Sequence, residues 1–69
     1  MQEFELENHE YVELCDLLKL TGITGSGGMA KMLIADGRVL VDGEVELRKR
    51  RKVRRGQIVE CEGETIEIT

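Results

Sequence analysis

Alternating apolar and polar residues at the start of the chain predict a short strand followed by a helix. Residues 3–6 read Glu-Phe-Glu-Leu, and this period of two predicts a strand with Phe4 and Leu6 facing inward. Asn8 is placed to cap the helix that follows. The i, i+3, i+4, i+7 spacing of apolar residues predicts an amphipathic helix over about residues 10–20. Its buried face comprises Tyr11, Leu14, Cys15, Leu17 and Leu18, and Gly22 ends it.

A second helix is predicted after a glycine-rich turn. The turn comprises residues 25–28 and contains Ser26, which is placed to cap the helix. Ala30, Leu33 and Ile34 predict a helix over about residues 28–35, and Gly37 ends it.

The second half of the chain predicts strands joined by tight turns. Val39 and Val41 have the alternating spacing of a strand, Asp42-Gly43 is a strong hairpin signal, and Val45 and Leu47 continue the return strand. Residues 58–61 and 65–68 predict two further strands, joined by a turn at Glu62-Gly63 or Gly63-Glu64. The N-terminal strand can close the sheet beside the last one. The predicted fold class is α+β, with two short helices packed on a small, mostly antiparallel sheet.

Composition favours a small binding module. The chain has 69 residues, of which 41% are apolar, so we expect one domain over residues 1–69 that buries roughly 60% of its unfolded surface. No apolar run approaches the roughly 20 residues of a membrane span, and no signal peptide is visible, so a cytoplasmic location is expected.

Cys15 and Cys61 are expected to be buried thiols, and no set of residues indicates a metal or another cofactor. His9 stands alone, without a catalytic partner.

Charge is strongly segregated along the chain. Seven of the ten basic residues lie within residues 48–55, here called the basic run. The other sixty-one residues hold three basic and fourteen acidic side chains, so they carry −11. Five of the seven are arginines, whose guanidinium groups bind phosphate oxygens in a bidentate way. The run therefore predicts contact with a polyanion, most simply nucleic acid. There are two alternatives. The run is either a solvated loop that balances the charge of an acidic body, or a localisation signal.

The Gly-Ser-Gly-Gly turn supports a weaker phosphate prediction. It lacks the preceding strand and the Gly-Lys-Ser/Thr ending of a nucleotide-binding P-loop. Exposed amides around Ser26 and Gly27 could still hold one phosphate at the helix start, and a flexible helix entry is the equal alternative. Lys31 and Arg38 are candidate phosphate contacts at the rim of the surface formed by the basic run.

The order of these motifs resembles the RNA-binding domain named after ribosomal protein S four. Residues 26–43 read SGGMAKMLIADGRVLVDG, which is similar to that family's core of Ser, a short helix and Gly-x-Val-x-Val-Asp-Gly. Residues 56–59, Gly-Gln-Ile-Val, resemble its closing strand. Residues 13–20 (ELCDLLKL) and 45–50 (VELRKR) resemble the small standalone bacterial proteins of the YbcJ type.

The resemblance implies an alpha-L motif that binds structured RNA with both helices and the adjoining turn. Ser26, Lys31 and Arg38 match positions on that face. Many relatives carry arginine near the start of the first helix and just after the serine, where this chain has Glu13 and Gly27. Binding is therefore expected either to have shifted toward the basic run or to be weaker than in those relatives.

The sequence thus predicts a monomeric, non-enzymatic module that binds structured RNA, ribosomal or transfer RNA foremost. The alternative is a protein-interaction module that docks on an acidic partner. Scarce aromatic residues, Phe4 and Tyr11 only, argue for reading of RNA shape and backbone rather than splayed bases. The predicted RNA-binding residues are Arg48, Lys49, Arg50, Arg51, Lys52, Arg54, Arg55, Lys31, Arg38, Ser26 and Gly27.

Overall fold

The computed structural model describes all 69 residues and contains two helices and seven short strands. In chain order these are β1 (Gln2–Phe4), β2 (Val12–Glu13), α1 (Leu14–Leu20), α2 (Gly27–Ala35), β3 (Val39–Val41), β4 (Glu44–Val45), β5 (Lys52–Val53), β6 (Ile58–Cys61) and β7 (Glu64–Ile68). The α+β prediction of two short helices with a mostly antiparallel sheet is confirmed. None of the helices is long and apolar enough to span a lipid bilayer.

Five of the strands form one sheet in the order β1-β7-β6-β3-β4, and β2 and β5 form a separate pair. The predicted closure by the N-terminal strand is confirmed: β1 lies beside β7, with Gln2 opposite Ile66. This pairing is parallel, and all others are antiparallel. The first and last strands are therefore neighbours at one edge of the sheet.

Both tight turns of the large sheet have positive φ at their two central residues. These angles are 52° and 83° at Asp42-Gly43, and 52° and 80° at Glu62-Gly63. Such turns match the twist of antiparallel strands, and Asp followed by Gly tolerates them. The Asp42-Gly43 prediction is confirmed, and of the two predicted turns between β6 and β7 the structure has Glu62-Gly63.

One apolar core joins the helices to both sheets. In α1, Leu14, Leu17 and Leu18 are fully buried, as the periodicity predicts. The complete cluster comprises fifteen residues: Leu6, Leu14, Cys15, Leu17, Leu18, Ala30, Leu33, Ile34, Val39, Val41, Val53, Val59, Cys61, Ile66 and Ile68. Both cysteines are buried free thiols, and burial raises the pKa of Cys61.

The start of the first helix differs from the prediction. The helix begins at Leu14 rather than near residue 10, and its N-cap is Glu13 rather than Asn8. Tyr11 lies outside the helix and is partly exposed. The cause is tertiary: Val12 and Glu13 pair with Val53 and Lys52 of β5, so this segment is extended. Tyr11 met the helical spacing only by coincidence.

Smaller differences concern the ends of other elements. β1 ends at Phe4, although Leu6 beyond it is buried as predicted. The return strand β4 ends at Val45, and Leu47 lies outside it with 61% of its surface exposed. α2 begins at Gly27, one residue earlier than predicted, and Ser26 is its N-cap as predicted.

Candidate nucleic-acid interface

The backbone of the basic run is fixed to the start of α1. The amides of Leu14 and Cys15 donate hydrogen bonds to the carbonyl oxygens of Arg51 and Lys49, at 2.9 and 3.0 Å. The first amides of a helix have no partner within the helix, and the Glu13 side chain supplies no cap. The run therefore caps α1 with its own carbonyl groups and is held in a defined conformation.

The run turns back on itself instead of continuing the strand from Leu47. The amide of Arg51 donates to the carbonyl oxygen of Arg48 at 3.2 Å, and β5 follows. Val53 is fully buried in the core and anchors the run there. Its flanking neighbours Lys52 and Arg54 are exposed. Burial of one valine thus holds several cations at the surface.

Glu46 binds two of the arginines. Its carboxylate accepts hydrogen bonds from Nε of Arg48 and Nε of Arg51, both at 3.0 Å. The hydrogen bond from the Arg48 side chain is the main reason that the pKa of Glu46 falls from 4.5 to about 2. The Arg51 side chain is only 26% exposed. Arg51 is therefore partly buried against Glu46, whereas its neighbours Arg50 and Lys52 are exposed.

Three other predicted contacts also have partners within the protein. Arg50 pairs with Glu13 at 3.4 Å, and Arg38 pairs with Glu62 at 3.7 Å. Such exposed pairs are weak, since solvent screens them. Arg55 donates to the carbonyl oxygen of Glu7. Among the predicted cations, the ones without a carboxylate partner are Lys31, Lys49, Lys52, Arg54 and Arg55.

Tyr11 lies against the run, which the sequence did not predict. The Lys52 ammonium lies 5.0 Å from the centre of the tyrosine ring, and the Arg54 guanidinium carbon lies 5.7 Å from it. A cation over an aromatic ring is attracted by the ring quadrupole. The pairing of Val12 with Val53 creates this contact, because it places Tyr11 alongside Arg54. No local sequence signal identifies that pairing.

The start of α2 holds a second group of predicted residues. The Ser26 hydroxyl accepts a hydrogen bond from the amide of Met29 at 3.2 Å, so its side chain is a true N-cap. Lys31 is exposed one turn further along. Lys19 was missed by the sequence analysis: its Cδ lies 3.9 Å from the position that a Cβ of Gly27 would occupy. The aliphatic part of the Lys19 side chain therefore lies beside this helix start.

Two open concavities of opposite charge lie on the surface. One, of about 740 Å³, is lined by Leu47 and five consecutive basic residues, 48–52, and is here called the basic concavity. The other, of about 720 Å³, has five carboxylates, and is here called the acidic groove. Those carboxylates belong to Glu5, Glu7, Glu10, Glu13 and Asp16. Phosphate is attracted to the first concavity and repelled by the second.

Comparison with known proteins places this geometry in a family. A family model described as "S4 domain" matches residues 4–69, nearly the whole chain. The chain belongs to the S4 domain family. Domains of this family are non-catalytic binding modules, so the chain is a binding domain rather than an enzyme.

Relatives agree with this assignment. The chain is 52% identical over 68 residues to YbcJ of Escherichia coli (strain K12), a proposed RNA-binding protein, and covers 97% of that protein. It is 43% identical over 54 residues to RlbA of Bacillus subtilis (strain 168), a proposed ribosome maturation protein. This match covers 78% of this chain and 76% of RlbA.

The fold agrees as well. The solution structure of Escherichia coli YbcJ superposes with a TM-score of 0.78 at 51% identity, over 100% of this chain and 87% of that one. That structure is described as revealing an alpha-L motif involved in RNA binding. The predicted resemblance to the S-four type and its YbcJ-like subgroup is confirmed.

Proposed function

We propose that this chain is a single RNA-binding domain that grips the phosphates of a structured RNA with the basic run. The observation that carries the proposal is the fixed conformation of the run, whose carbonyl groups cap α1 while Val53 anchors it in the core. A backbone held in place loses less conformational entropy on binding than the backbone of a mobile loop. The proposed binding surface extends from the basic run toward α2, where it includes Ser26, Gly27, Lys31 and Arg38.

The RNA is folded rather than single-stranded in this proposal. Proteins that bind single strands without sequence preference stack successive bases on exposed aromatic rings. This chain has one tyrosine and one phenylalanine, and Tyr11 already faces Lys52 and Arg54. Phosphate contacts by fixed cations suit the regular backbone of an RNA helix.

Ribosomal RNA is the favoured target, ahead of transfer RNA. The support is the 43% identity to RlbA, a proposed ribosome maturation protein. The domain acts in the cytoplasm as a monomer and without a cofactor in this proposal.

The number of phosphates bound follows from the ion pairs. The five cations without a carboxylate partner give up no ion pair when they bind phosphate, whereas Arg48, Arg50 and Arg51 are paired with glutamates. About five neutralised phosphates give a slope of log Kd against log salt concentration of magnitude about 4.

Fluorescence anisotropy tests the proposal. A folded ribosomal RNA fragment, a single strand and a DNA duplex are titrated at several salt concentrations. We expect salt-dependent binding with the folded RNA bound most tightly. Absence of binding to all three would contradict the proposal and favour the alternative, docking on an acidic protein, for which a pull-down is the next step.

A further inference from the structure

Two apolar side chains beside the basic run are not part of the core. Val45 and Leu47 follow the Asp42-Gly43 hairpin and are 56% and 61% exposed. A Cβ at Gly37 would lie 3.7 Å from Cγ1 of Val45 and 4.0 Å from Cδ2 of Leu47. Both side chains therefore lie over the turn that ends α2. This pair is here called the apolar step.

The apolar step adjoins the proposed phosphate contacts on two sides. Leu47 lines the basic concavity and is its one apolar lining residue. Arg48 follows Leu47 directly, and Arg38 follows Gly37, on which the step rests. Cations and an exposed apolar surface thus meet in one open concavity.

The chemistry that fits both parts is a nucleotide whose base is not paired. Phosphate oxygens satisfy the arginines and lysines. Paired bases keep their faces inside the helix stack, so only an unpaired base can lay its face on an apolar surface. The base gains by leaving water, as does the leucine side chain.

We propose that the apolar step holds one unpaired nucleobase of the RNA whose phosphates the basic run binds. The inference rests on the proposed function. It departs from the sequence-based expectation that only RNA shape and backbone are read, because the RNA then carries a bulged or loop nucleotide next to a helix. The phosphates provide salt-dependent affinity, and the base on Leu47 provides selectivity among folded RNAs.

The experiment compares two hairpin RNAs that differ by one base. The first has a single bulged adenosine, and the second has an abasic nucleotide at the same place, so backbone and charge are equal. Anisotropy titrations use the wild type, Leu47→Ser, Leu47→Met and the control Leu20→Ser. Leu20 is a matched control because it is 63% exposed, close to Leu47, but lines the acidic groove. Circular dichroism checks that each variant is folded.

The wild type is expected to bind the adenosine bulge about fivefold more tightly than the abasic one, which corresponds to ~1 kcal/mol, the gain from burying roughly 40 Å² of apolar surface at ~25 cal/mol per Å². Leu47→Ser should abolish this preference, and Leu47→Met should keep it since its side chain is apolar and similar in volume. Leu20→Ser should behave as the wild type.

The outcomes separate this inference from the proposed function. Equal, salt-dependent binding of both hairpins by the wild type overturns the inference and leaves the proposed function standing. A preference that survives in Leu47→Ser overturns the placement of the base on the apolar step. If neither hairpin binds in a salt-dependent way, the proposed function itself fails.

Discussion

At the scale of single residues, the cations of the run are not equivalent. Glu46 holds Arg48 and Arg51, and Glu13 holds Arg50, whereas Lys49 and Lys52 have no carboxylate partner. An arginine that leaves a glutamate for a phosphate gives up one ion pair to form another. A free cation has no such loss, so its net contribution to RNA binding is larger.

Two triple variants of equal charge test this difference. The first variant changes Lys49, Lys52 and Arg54 to Gln. It should lower the magnitude of the salt slope by about 2–3, since about 0.7–0.9 is lost with each phosphate contact. The second variant changes Arg38, Arg48 and Arg50 to Gln and removes the same charge. It should lower the magnitude of the salt slope by about 1 or less. Anisotropy titrations over a salt series measure both slopes. Equal slopes in the two variants would contradict the ranking.

Glu46 predicts a pH dependence of stability. Its pKa is about 2 in the folded protein and 4.5 in its ordinary state. A carboxylate with a lowered folded pKa stabilises the fold above its unfolded pKa, and this contribution is lost as the pH falls from 4.5 toward 2. Glu46→Gln should cost about 1 kcal/mol at neutral pH, given the exposed position of Arg48.

Urea unfolding at a series of pH values between neutrality and acid measures the effect. The free energy of unfolding of the wild type should approach that of Glu46→Gln as the solution is acidified. Glu10→Gln serves as the control, because Glu10 is exposed and forms no ion pair. A constant difference between wild type and Glu46→Gln at all pH values would rule out this account of the ion pairs.

At the scale of elements, Ser26 has a structural role and a proposed binding role. Ser26→Ala removes the hydrogen bond to the amide of Met29 and should cost about 1 kcal/mol of stability. Ser26→Asp keeps a good N-cap and adds favourable charge at the helix start. The same carboxylate would repel phosphate, so the aspartate variant should be stable yet bind RNA more weakly.

Thermal unfolding and anisotropy together separate the two roles. The alanine variant is expected to lose stability with a small change in RNA affinity. The aspartate variant is expected to lose RNA affinity with a small change in stability. Undiminished RNA affinity in Ser26→Asp would remove the start of α2 from the binding surface.

Most elements that the sequence predicted correctly have local causes, and the pairing of β1 with β7 is the exception. The Asp42-Gly43 turn, the Ser26 cap and the apolar stripe of α2 each depend on residues within one turn of one another. The true start of α1 depends on Val12 pairing with Val53, forty-one positions away in the printed sequence. Local periodicity cannot register such a pairing, and Tyr11 fitted the wrong pattern for that reason.

The same distinction applies to the binding surface. Dense positive charge is visible in the sequence, and so is the arginine preference. Which cations are engaged is decided by contacts such as Arg50 with Glu13, thirty-seven residues apart. The contact of Lys19 with the start of α2 and the position of Leu47 beside Gly37 likewise follow from the assembled fold.

At the scale of the whole molecule, the fold sets charge of opposite sign side by side. The acidic groove borders the basic run, and Arg50 with Glu13 and Arg55 with the Glu7 carbonyl lie at the border. A polyanion approaching this protein is attracted to one side and repelled by the adjoining one. The net charge of −4 is therefore compatible with RNA binding, and the charge segregation gives RNA one orientation on the surface.

The most direct test maps the surface that RNA touches. Backbone amide resonances of the isotope-labelled protein are followed by NMR while the best-bound folded RNA from the anisotropy series is added. The account predicts that the largest shift changes fall on residues 47–55, with a second group at residues 26–31, and that residues 5–10 change little. Changes centred on the acidic groove, with the basic run unaffected, would contradict the claim that this run binds RNA.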